Sequence, residues 1–224
     1  FSPGSRSTTM AMLFREHGVF ETYMNIDERS AGFMALGIAK AHRKPVILVC
    51  TSGSAVAHYM PAVLEAQYSG VPLIILSADR PHTLQHVGAP QTVDQQKLFG
   101  IAVNYYEELA VPQQDHYYTY PRLVARKAYM KSMDVKRGPV HINVPLFEPL
   151  VPELDRKYFE CGRHPFSVVP AAIQPGDACT IYDLLANKKV LILAGPSTNL
   201  EDANAILGLS NIFNAPILGD PLSN

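Results

Sequence analysis

The sequence predicts an α/β fold in which helices flank a parallel β-sheet, and two observations support this. Short β-branched runs alternate with longer segments of helical period over residues 1–148, which is the pattern of βαβ units. The runs over residues 46–50 and 73–76 are continuously apolar, as expected for central strands that helices cover on both faces. A chain of 224 residues with 47% hydrophobic residues can also form a substantial core.

Five strands and three main helices are expected in the first 150 residues. The apolar runs predict strands over residues 19–26, 45–50, 73–78, 101–107 and 140–144. A helix is predicted by apolar residues at positions i, i+3, i+4, i+7 and i+8, which are Ala31, Met34, Ala35, Ile38 and Ala39. Asp27 is its expected N-cap. Further helices are expected over 55–68 and 115–132. The long segment 79–100 is expected to be a functional loop with one short helical piece over 94–98.

Prolines mark the boundary between two predicted domains. Periodicity fades after residue 148, and prolines recur at positions 149, 152, 165, 170 and 175, as in a linker. We therefore expect an N-terminally incomplete domain over residues 1–150, a linker over 151–184 and the truncated start of a Rossmann-like α/β domain over 185–224. In that second domain, strands are expected over 189–195 and 215–218 and a helix over 200–209. A turn-rich start without a preceding strand predicts a fragment of a longer protein.

Composition restricts the class of function. A formal net charge of −1 does not favour nucleic acid or an anionic membrane as the main partner. The odd set of three cysteines, at positions 50, 161 and 179, lacks metal-type spacing and suits a reducing cytosol. No apolar run approaches the ~20 residues of a membrane span. These features predict a cytoplasmic protein without membrane insertion, and we expect no metal ligands in this chain.

Candidate binding residues lie where predicted strands lead into helices, because ligands bind at the carboxyl ends of strands in open α/β sheets. Arg6 lies among hydroxyls at a predicted helix start and could bind a carboxylate or phosphate, although a surface arginine beside a capped helix explains it equally well. Arg80 is expected at the same rim, and two arginines would suit a substrate with more than one carboxylate.

Two further segments are ambiguous when taken alone. Glu28 lies in the first turn of a predicted helix, where the helix dipole is sufficient to explain an acidic residue. The segment 51–54, Thr-Ser-Gly-Ser, could hold an anion or a ring, or form an ordinary tight turn. It lacks the glycine–lysine signature of a phosphate-binding P-loop.

Six motifs in a fixed order carry a resemblance to a known family. They are Ser-Pro-Gly-Ser-Arg-Ser-Thr (2–8), Ile-Asp-Glu-Arg-Ser-Ala-Gly-Phe (26–33), Cys-Thr-Ser-Gly-Ser (50–54), Ala-Asp-Arg-Pro (78–81), Gly-Ala-Pro-Gln (88–91) and Arg-Gly-Pro-Val-His-Ile-Asn-Val-Pro (137–145). Together they resemble 2-succinyl-5-enolpyruvyl-6-hydroxy-3-cyclohexene-1-carboxylate synthase, the thiamine-diphosphate enzyme of menaquinone biosynthesis. The resemblance covers residues 1–150, and the chain from 180 onward is compatible with the family's central domain.

The resemblance implies that the first domain binds the aminopyrimidine ring of thiamine diphosphate. Glu28 occupies the position of the glutamate that hydrogen-bonds the pyrimidine N1′, favours the imino tautomer and lets the cofactor's amino group deprotonate the thiazolium C2. Thr51, Ser52 and Gly53 would lie near the cofactor ring.

The resemblance also implies the substrates. The family's reaction decarboxylates 2-oxoglutarate and adds the resulting carbanion equivalent to isochorismate, and both molecules carry two carboxylates. The implied substrate-binding residues are Ser5, Arg6, Arg80 and Gln91, of which Gln91 is also a candidate catalytic residue.

The family also uses Mg²⁺ or Mn²⁺, held by a Gly-Asp-Gly or Gly-Asp-Ser motif with a later Asn, and this sequence lacks that motif. Gly219-Asp220-Pro221 is no substitute because proline removes an N–H group. The ligands are therefore expected in a missing C-terminal domain. We expect a homodimer or homotetramer whose active sites are shared between subunits, and an inactive fragment.

Two alternatives remain open. Acetolactate-synthase-like 2-oxoacid decarboxylases or carboligases belong to the same superfamily, but they typically carry His-Glu where this chain has Asp27-Glu28. They also carry Thr-Ser-Gly-Pro-Gly where this chain has Thr-Ser-Gly-Ser at 51–54. A non-catalytic Rossmann-like binding module is the alternative from a different class of function.

Overall fold

A computed structural model divides the chain into two compact units, Phe1–Val168 and Val169–Asn224. The structure describes residues 1–111, 119–155, 159, 175–197 and 200–222. The elements of the first unit are α1 (Thr8–His17), α2 (Glu28–His42), β1 (Val46–Cys50), α3 (Ser54–Ala57), α4 (Met60–Tyr68), β2 (Leu73–Asp79), β3 (Tyr105–Glu108), α5 (Thr119–Ser132) and β4 (Val140–Pro145). None of the helices in these described ranges is long and apolar enough to cross a membrane.

The four strands form one parallel sheet in the order β1-β2-β4-β3. Alternate residues of the strands enter two hydrophobic clusters, one on each face of the sheet. Leu48 and Ile75 pack with residues of α2 and α4, whereas Val49 and Ile74 pack with residues of α1 and α5. Helices therefore cover both faces, which explains the continuously apolar strands and confirms the predicted fold class.

The strand predicted over residues 19–26 is wrong. Its backbone bonds to one residue of the chain's first segment: the Phe1 amino group donates to Tyr23 O at 2.7 Å, and Asn25 N donates to Phe1 O at 2.9 Å. A strand needs a ladder of such bonds along its length, so this segment remains irregular.

Three other predictions need correction. The helix expected over 55–68 is divided into α3 and α4, because Pro61 at the start of α4 lacks the N–H that a continuous helix requires. The helical piece over 94–98 forms turns, with Lys97 at a φ of 52°. The strand expected over residues 101–107 begins only at Tyr105, because Gly100–Ala102 form a 3₁₀ turn. Of the helix expected over 115–132, residues 115–118 lie outside the described part.

The second unit contains α6 (Pro175–Leu185), β5 (Ile192–Ala194), α7 (Leu200–Phe213) and β6 (Ile217–Gly219). The strands β5 and β6 pair in parallel, as in the predicted α/β arrangement. Helix α6 lies almost wholly within the stretch expected to be a linker. The domain limits proposed from the sequence stay a prediction.

Candidate functional site

The carboxyl ends of β1, β2 and β4 meet at one edge of the sheet, and the predicted site residues lie along this edge. Ser2 N donates to Val49 O at 2.9 Å, which brings the segment before α1 beside the end of β1. A Cβ atom added to Gly4 would lie 2.3 Å from the Cβ of Thr51. Only glycine permits this approach, so Gly4 lets the Ser5-Arg6 segment reach the turn after β1.

Arg6 is buried at this edge, with 6% of its surface exposed. Its Nη1 donates to Leu146 O at 2.7 Å, and its Nη2 donates to Glu148 Oε1 at 3.0 Å. Its Nε is buried and has no hydrogen-bond partner among the described residues, which is uncommon for a buried donor. Leu146 and Glu148 were not predicted as site residues, although both follow β4 at the same edge.

Arg80 follows β2 and joins two of the predicted segments. Its Nη1 donates to Ser52 Oγ and, at 2.7 Å, to Gln91 O. The Gln91 side-chain amide donates to Ser52 O at 3.0 Å. Burial lowers the pKa of Arg80, and the nearby positive charge of Arg6 lowers it further. The structure therefore brings Arg6, Arg80, Ser52 and Gln91 together.

Gly53 shapes the turn that follows β1. Its φ is 85°, and a Cβ atom there would lie 2.9 Å from the Cγ of Gln91. A side chain at position 53 would therefore be strained and would also collide with Gln91. Thr51 and Ser52 are buried beside it.

Glu28 is the first residue of α2. Asp27, the residue before it, is the N-cap of this helix, as predicted. Asp27 Oδ1 accepts from Arg29 N at 2.9 Å and from Ser30 N at 3.1 Å. The carboxylate of Glu28 is half-buried and accepts no hydrogen bond from the described residues.

Glu28 lies close enough to two buried groups for its charge to affect their pKa values. Burial raises the pKa of Cys50 and of Tyr59, and the negative charge of Glu28 contributes to both increases. Because Cys50 ends β1, Glu28 lies near the same sheet edge as the turn at 51–53. No hydrogen bond in the described part of the chain joins Glu28 or the exposed Ser5 to the Arg80 group.

A buried polar network below this edge was missed by the sequence analysis. Asn143 Nδ2 donates to Asp79 Oδ2 at 2.8 Å, and Asn143 Oδ1 accepts from Ser77 Oγ at 2.8 Å and Gln95 Nε2 at 2.9 Å. Ser77 Oγ also lies 2.7 Å from His141 Nε2. All five side chains are fully buried. The available signal was polar residues at alternate positions of apolar strands.

Burial shifts the pKa of two members of this network. It raises the pKa of Asp79, although hydrogen bonds from Asn143 and Arg80 N oppose the increase. It lowers the pKa of His141 to about 3. The imidazole of His141 is therefore neutral at physiological pH.

A groove of about 500 Å³ lies apart from these residues, beside β1 and α2. Its lining includes Phe14, Phe20, Met34 and Ile47 but none of the predicted site residues. Within the described ranges, no three His, Cys, Asp or Glu side chains form a group that could hold a metal ion.

Comparison with known proteins agrees with these features. The family model described as "Thiamine pyrophosphate enzyme, N-terminal TPP binding domain" matches residues 1–98. Among solved structures, benzoylformate decarboxylase from Polynucleobacter necessarius aligns with a TM-score of 0.70 at 21% identity, over 99% of this chain and 40% of that one. A putative thiamin diphosphate-dependent enzyme from Mycobacterium smegmatis aligns with a TM-score of 0.75 at 20% identity, over 99% and 41%. These two likenesses concern the fold alone.

Curated relatives are more similar in sequence. The 2-succinyl-5-enolpyruvyl-6-hydroxy-3-cyclohexene-1-carboxylate synthase of Lactococcus lactis subsp. cremoris is 53% identical over 100% of this chain and 40% of its own length. The synthases of Desulfitobacterium hafniense and Geobacillus kaustophilus are 50% and 46% identical, over 100% and 99% of this chain. The chain spans about 40% of the length of these relatives. By this similarity along its whole length, the chain belongs to the 2-succinyl-5-enolpyruvyl-6-hydroxy-3-cyclohexene-1-carboxylate synthase family of thiamine pyrophosphate enzymes.

Proposed function

We propose that this chain is part of a thiamine-diphosphate-dependent enzyme that decarboxylates 2-oxoglutarate and adds the resulting carbanion equivalent to isochorismate. The observation that carries the proposal is the pair of guanidinium groups, Arg6 and Arg80, at the sheet edge near Glu28. Each substrate presents two carboxylates, and arginine binds carboxylates through charge-assisted hydrogen bonds.

The residues at the edge fit the cofactor's aminopyrimidine ring. Gly53 lets the turn pass close to Gln91 without a side chain between them, and the Glu28 carboxylate has no hydrogen-bond donor among the described residues. We assign Glu28 to the pyrimidine N1′, where it would hold a proton, and Thr51, Ser52 and Gly53 to the surface beside the ring. Thiamine diphosphate, when bound, supplies the electron sink for the carbanion chemistry.

Arg6 and Arg80 would bind and orient the substrate carboxylates. The Nε of Arg6 is a buried donor without a partner among the described residues, so a bound anion or water would satisfy it. Gln91 and Ser5 are exposed beside these arginines. We assign both to substrate binding, and Gln91 also to catalysis, because its backbone carbonyl accepts from Arg80 at 2.7 Å and its side chain lies at the same edge.

The remaining parts of the proposal concern the longer protein. We assign Mg²⁺ or Mn²⁺ binding to residues outside this chain, because the sequence lacks the metal–diphosphate motif. We also propose a cytoplasmic homodimer or homotetramer in which two subunits complete each active site.

An assay of the full-length protein with thiamine diphosphate and Mg²⁺ tests the proposal. We expect release of CO₂ from 2-oxoglutarate and formation of a product that requires isochorismate. Turnover of pyruvate in place of 2-oxoglutarate would favour an acetolactate-synthase-like enzyme. A protein that does not bind thiamine diphosphate by calorimetry would be a binding module, and the proposal would be wrong.

A further inference from the structure

Gln95 is a buried amide in a largely exposed loop. It is 0% exposed, whereas its neighbours Asp94 and Gln96 are exposed. A primary amide buried in this way is costly unless its polar atoms are paired. The side chain of Gln95 makes three hydrogen bonds, and each leads to a different segment of the sheet edge.

The carbonyl end of Gln95 holds the turn after β1. Its Oε1 accepts from Gly53 N at 2.8 Å. Its amide end holds the two central strands, because Nε2 donates to Ala78 O at 3.2 Å in β2 and to Asn143 Oδ1 at 2.9 Å in β4. Gln95 therefore connects the segment assigned to the cofactor ring with the strands beneath it.

The same network reaches Arg80 from below. Asn143 Nδ2 donates to Asp79 Oδ2 at 2.8 Å, and Asp79 Oδ1 accepts from Arg80 N at 2.7 Å. At the surface, the Arg80 side chain donates back to Ser52 Oγ, next to Gly53. These bonds form a closed circuit through Gln95, which fixes the Arg80 backbone relative to the turn.

Closed circuits of this kind restrict motion more than separate bonds do, because one link cannot lengthen without moving its neighbours. Arg80 is assigned to a substrate carboxylate, and the turn at 51–53 is assigned to the cofactor ring. Their separation decides whether a bound carboxylate substrate is aligned with the ring. An error of about 1 Å in such alignment can cost catalysis heavily.

We propose that Gln95 is a positioning residue, which sets the distance between Arg80 and the Thr51–Gly53 turn and thereby aligns the substrate with the cofactor. The role is indirect: Gln95 acts through Gly53 and Asn143 and is too buried to touch the substrate. This inference rests on the proposed function for its consequence in catalysis but not for the hydrogen-bond circuit itself.

The experiment compares the full-length variants Gln95→Met and Gln96→Met with wild type. Methionine fills a similar volume without the three hydrogen bonds, and Gln96 is an exposed control one position away. In the protein without cofactor or substrate, hydrogen–deuterium exchange at Gly53 N–H should become at least about tenfold faster in Gln95→Met and stay unchanged in Gln96→Met. In kinetics, KM for 2-oxoglutarate or isochorismate should rise at least about fivefold, while the affinity for thiamine diphosphate changes less.

The variant Gln95→Glu keeps the measurement decisive if Gln95→Met folds poorly. Its ionised carboxylate would retain an acceptor for Gly53 N but would face the Asn143 and Ala78 oxygens with no donor. Protonation of that carboxylate would restore one donor. The ratio of the KM of Gln95→Glu to the KM of wild type, measured at each pH, should therefore fall towards one as the pH decreases from 8 to 6.

Two results would overturn the inference. Unchanged exchange at Gly53 in Gln95→Met would show that the circuit does not hold the turn, whatever the enzyme does. Faster exchange with wild-type KM values, in an enzyme active on both substrates, would show that the circuit stabilises the fold without aligning substrate. If the wild-type protein itself does not use these substrates, it is the proposed function that fails, and the exchange data still judge the circuit.

Discussion

At the scale of single residues, the charged groups of the site differ in how far the protein already satisfies them. Arg6 donates to Leu146 and Glu148, and Arg80 donates to Ser52 and Gln91. A carboxylate ligand must therefore share these donors or displace their partners. The Glu28 carboxylate, by contrast, accepts no hydrogen bond from the described residues, which suits a group that binds a ring nitrogen.

The variant Glu28→Gln tests the assigned role of this carboxylate. In the full-length enzyme, we expect proton–deuterium exchange at the cofactor C2 to slow by about 10²-fold or more, because an amide cannot hold the proton at N1′. The free energy of unfolding should change by at most about 1 kcal/mol, since only a charge at a helix start is lost. Exchange at the wild-type rate in this variant would remove Glu28 from the mechanism.

The variant Arg80→Ala tests the substrate-binding role of the second arginine. It deletes a charge-assisted contact worth roughly 1.5–3 kcal/mol, so kcat/KM for 2-oxoglutarate or isochorismate should fall by about 10- to 150-fold. The affinity for thiamine diphosphate should change little. Arg6→Ala should show the same selectivity, with an added loss of stability because Leu146 and Glu148 lose their donor.

Steady-state kinetics with each substrate varied separately, together with calorimetry of cofactor binding, make this measurement. Arg126→Ala, which changes a surface arginine on α5, provides a control with the same change in charge. A loss confined to cofactor affinity would contradict the assignment of Arg6 and Arg80 to substrate.

The site residues show which contacts can be predicted from sequence. Arg6, Ser52 and Arg80 were candidates because each follows a strand or precedes a helix at the carboxyl edge of the sheet, whereas Gln91 was named only through the family resemblance. The role of Gln95 could not be predicted in the same way. It depends on contacts with Gly53 and Asn143, which lie 42 and 48 residues away along the chain, and no local pattern encodes them.

At the scale of elements, prediction succeeded where a segment is apolar on both faces and failed where the backbone needs a distant partner. The strands β1, β2 and β4 were predicted because burial on both sides leaves continuous apolar runs. Residues 19–26 also contain several apolar side chains, but the inter-segment backbone hydrogen bonds described for them lead only to Phe1. The break between α3 and α4 was missed, although Pro61 carried a signal for it, because proline favours the first turn of a new helix.

Strand β4 carries a histidine whose burial makes stability depend on pH. The pKa of His141 is lowered to about 3, whereas in the unfolded chain it is about 6.5. Between these values, the unfolded state binds one more proton than the folded state. The free energy of unfolding should therefore fall as the pH decreases below 6.5, by up to about 1.4 kcal/mol per pH unit from this group.

Urea denaturation of wild type and His141→Leu at pH 7 and pH 4.5 tests this prediction. Leucine is an apolar side chain of similar size beside the rings of Phe99 and Tyr106, which contact the imidazole, and it does not titrate. The decrease in stability on acidification should be smaller in His141→Leu than in wild type. His58→Leu, which replaces an exposed histidine, should leave the decrease nearly unchanged, and equal decreases in all three proteins would contradict the prediction.

At the scale of the whole molecule, the site residues described here account for only one end of the cofactor. Glu28 and the turn at 51–53 would hold the aminopyrimidine ring. The sequence contains no Gly-Asp-Gly or Gly-Asp-Ser motif with a later Asn to hold Mg²⁺ and the diphosphate. The chain also spans only about 40% of its curated relatives, so we assign the second end to another part of the longer protein.

This division predicts that a polypeptide of these 224 residues has no carboligase activity, even with saturating thiamine diphosphate and Mg²⁺. Catalysis requires C2 to be held in a fixed position relative to the amino group, and one anchored end leaves the cofactor free to rotate. The polypeptide also exposes large apolar side chains, among them Met24, Ile26 and Phe33 at 74%, 82% and 50%. Such surface tends to associate, so the oligomeric state should be measured by light scattering before the assay.

The assay measures CO₂ release from 2-oxoglutarate by the purified polypeptide, first alone and then with a separately expressed C-terminal half of a family member. No turnover alone and measurable turnover after mixing are the expected results, because the added half supplies the ligands for Mg²⁺ and the diphosphate. A mixture that contains Glu28→Gln in the first polypeptide should stay inactive, which attributes the restored activity to this chain's own residue. Turnover by the 224-residue polypeptide alone would show that the second anchoring end is dispensable, and the proposal of a shared site would then be wrong.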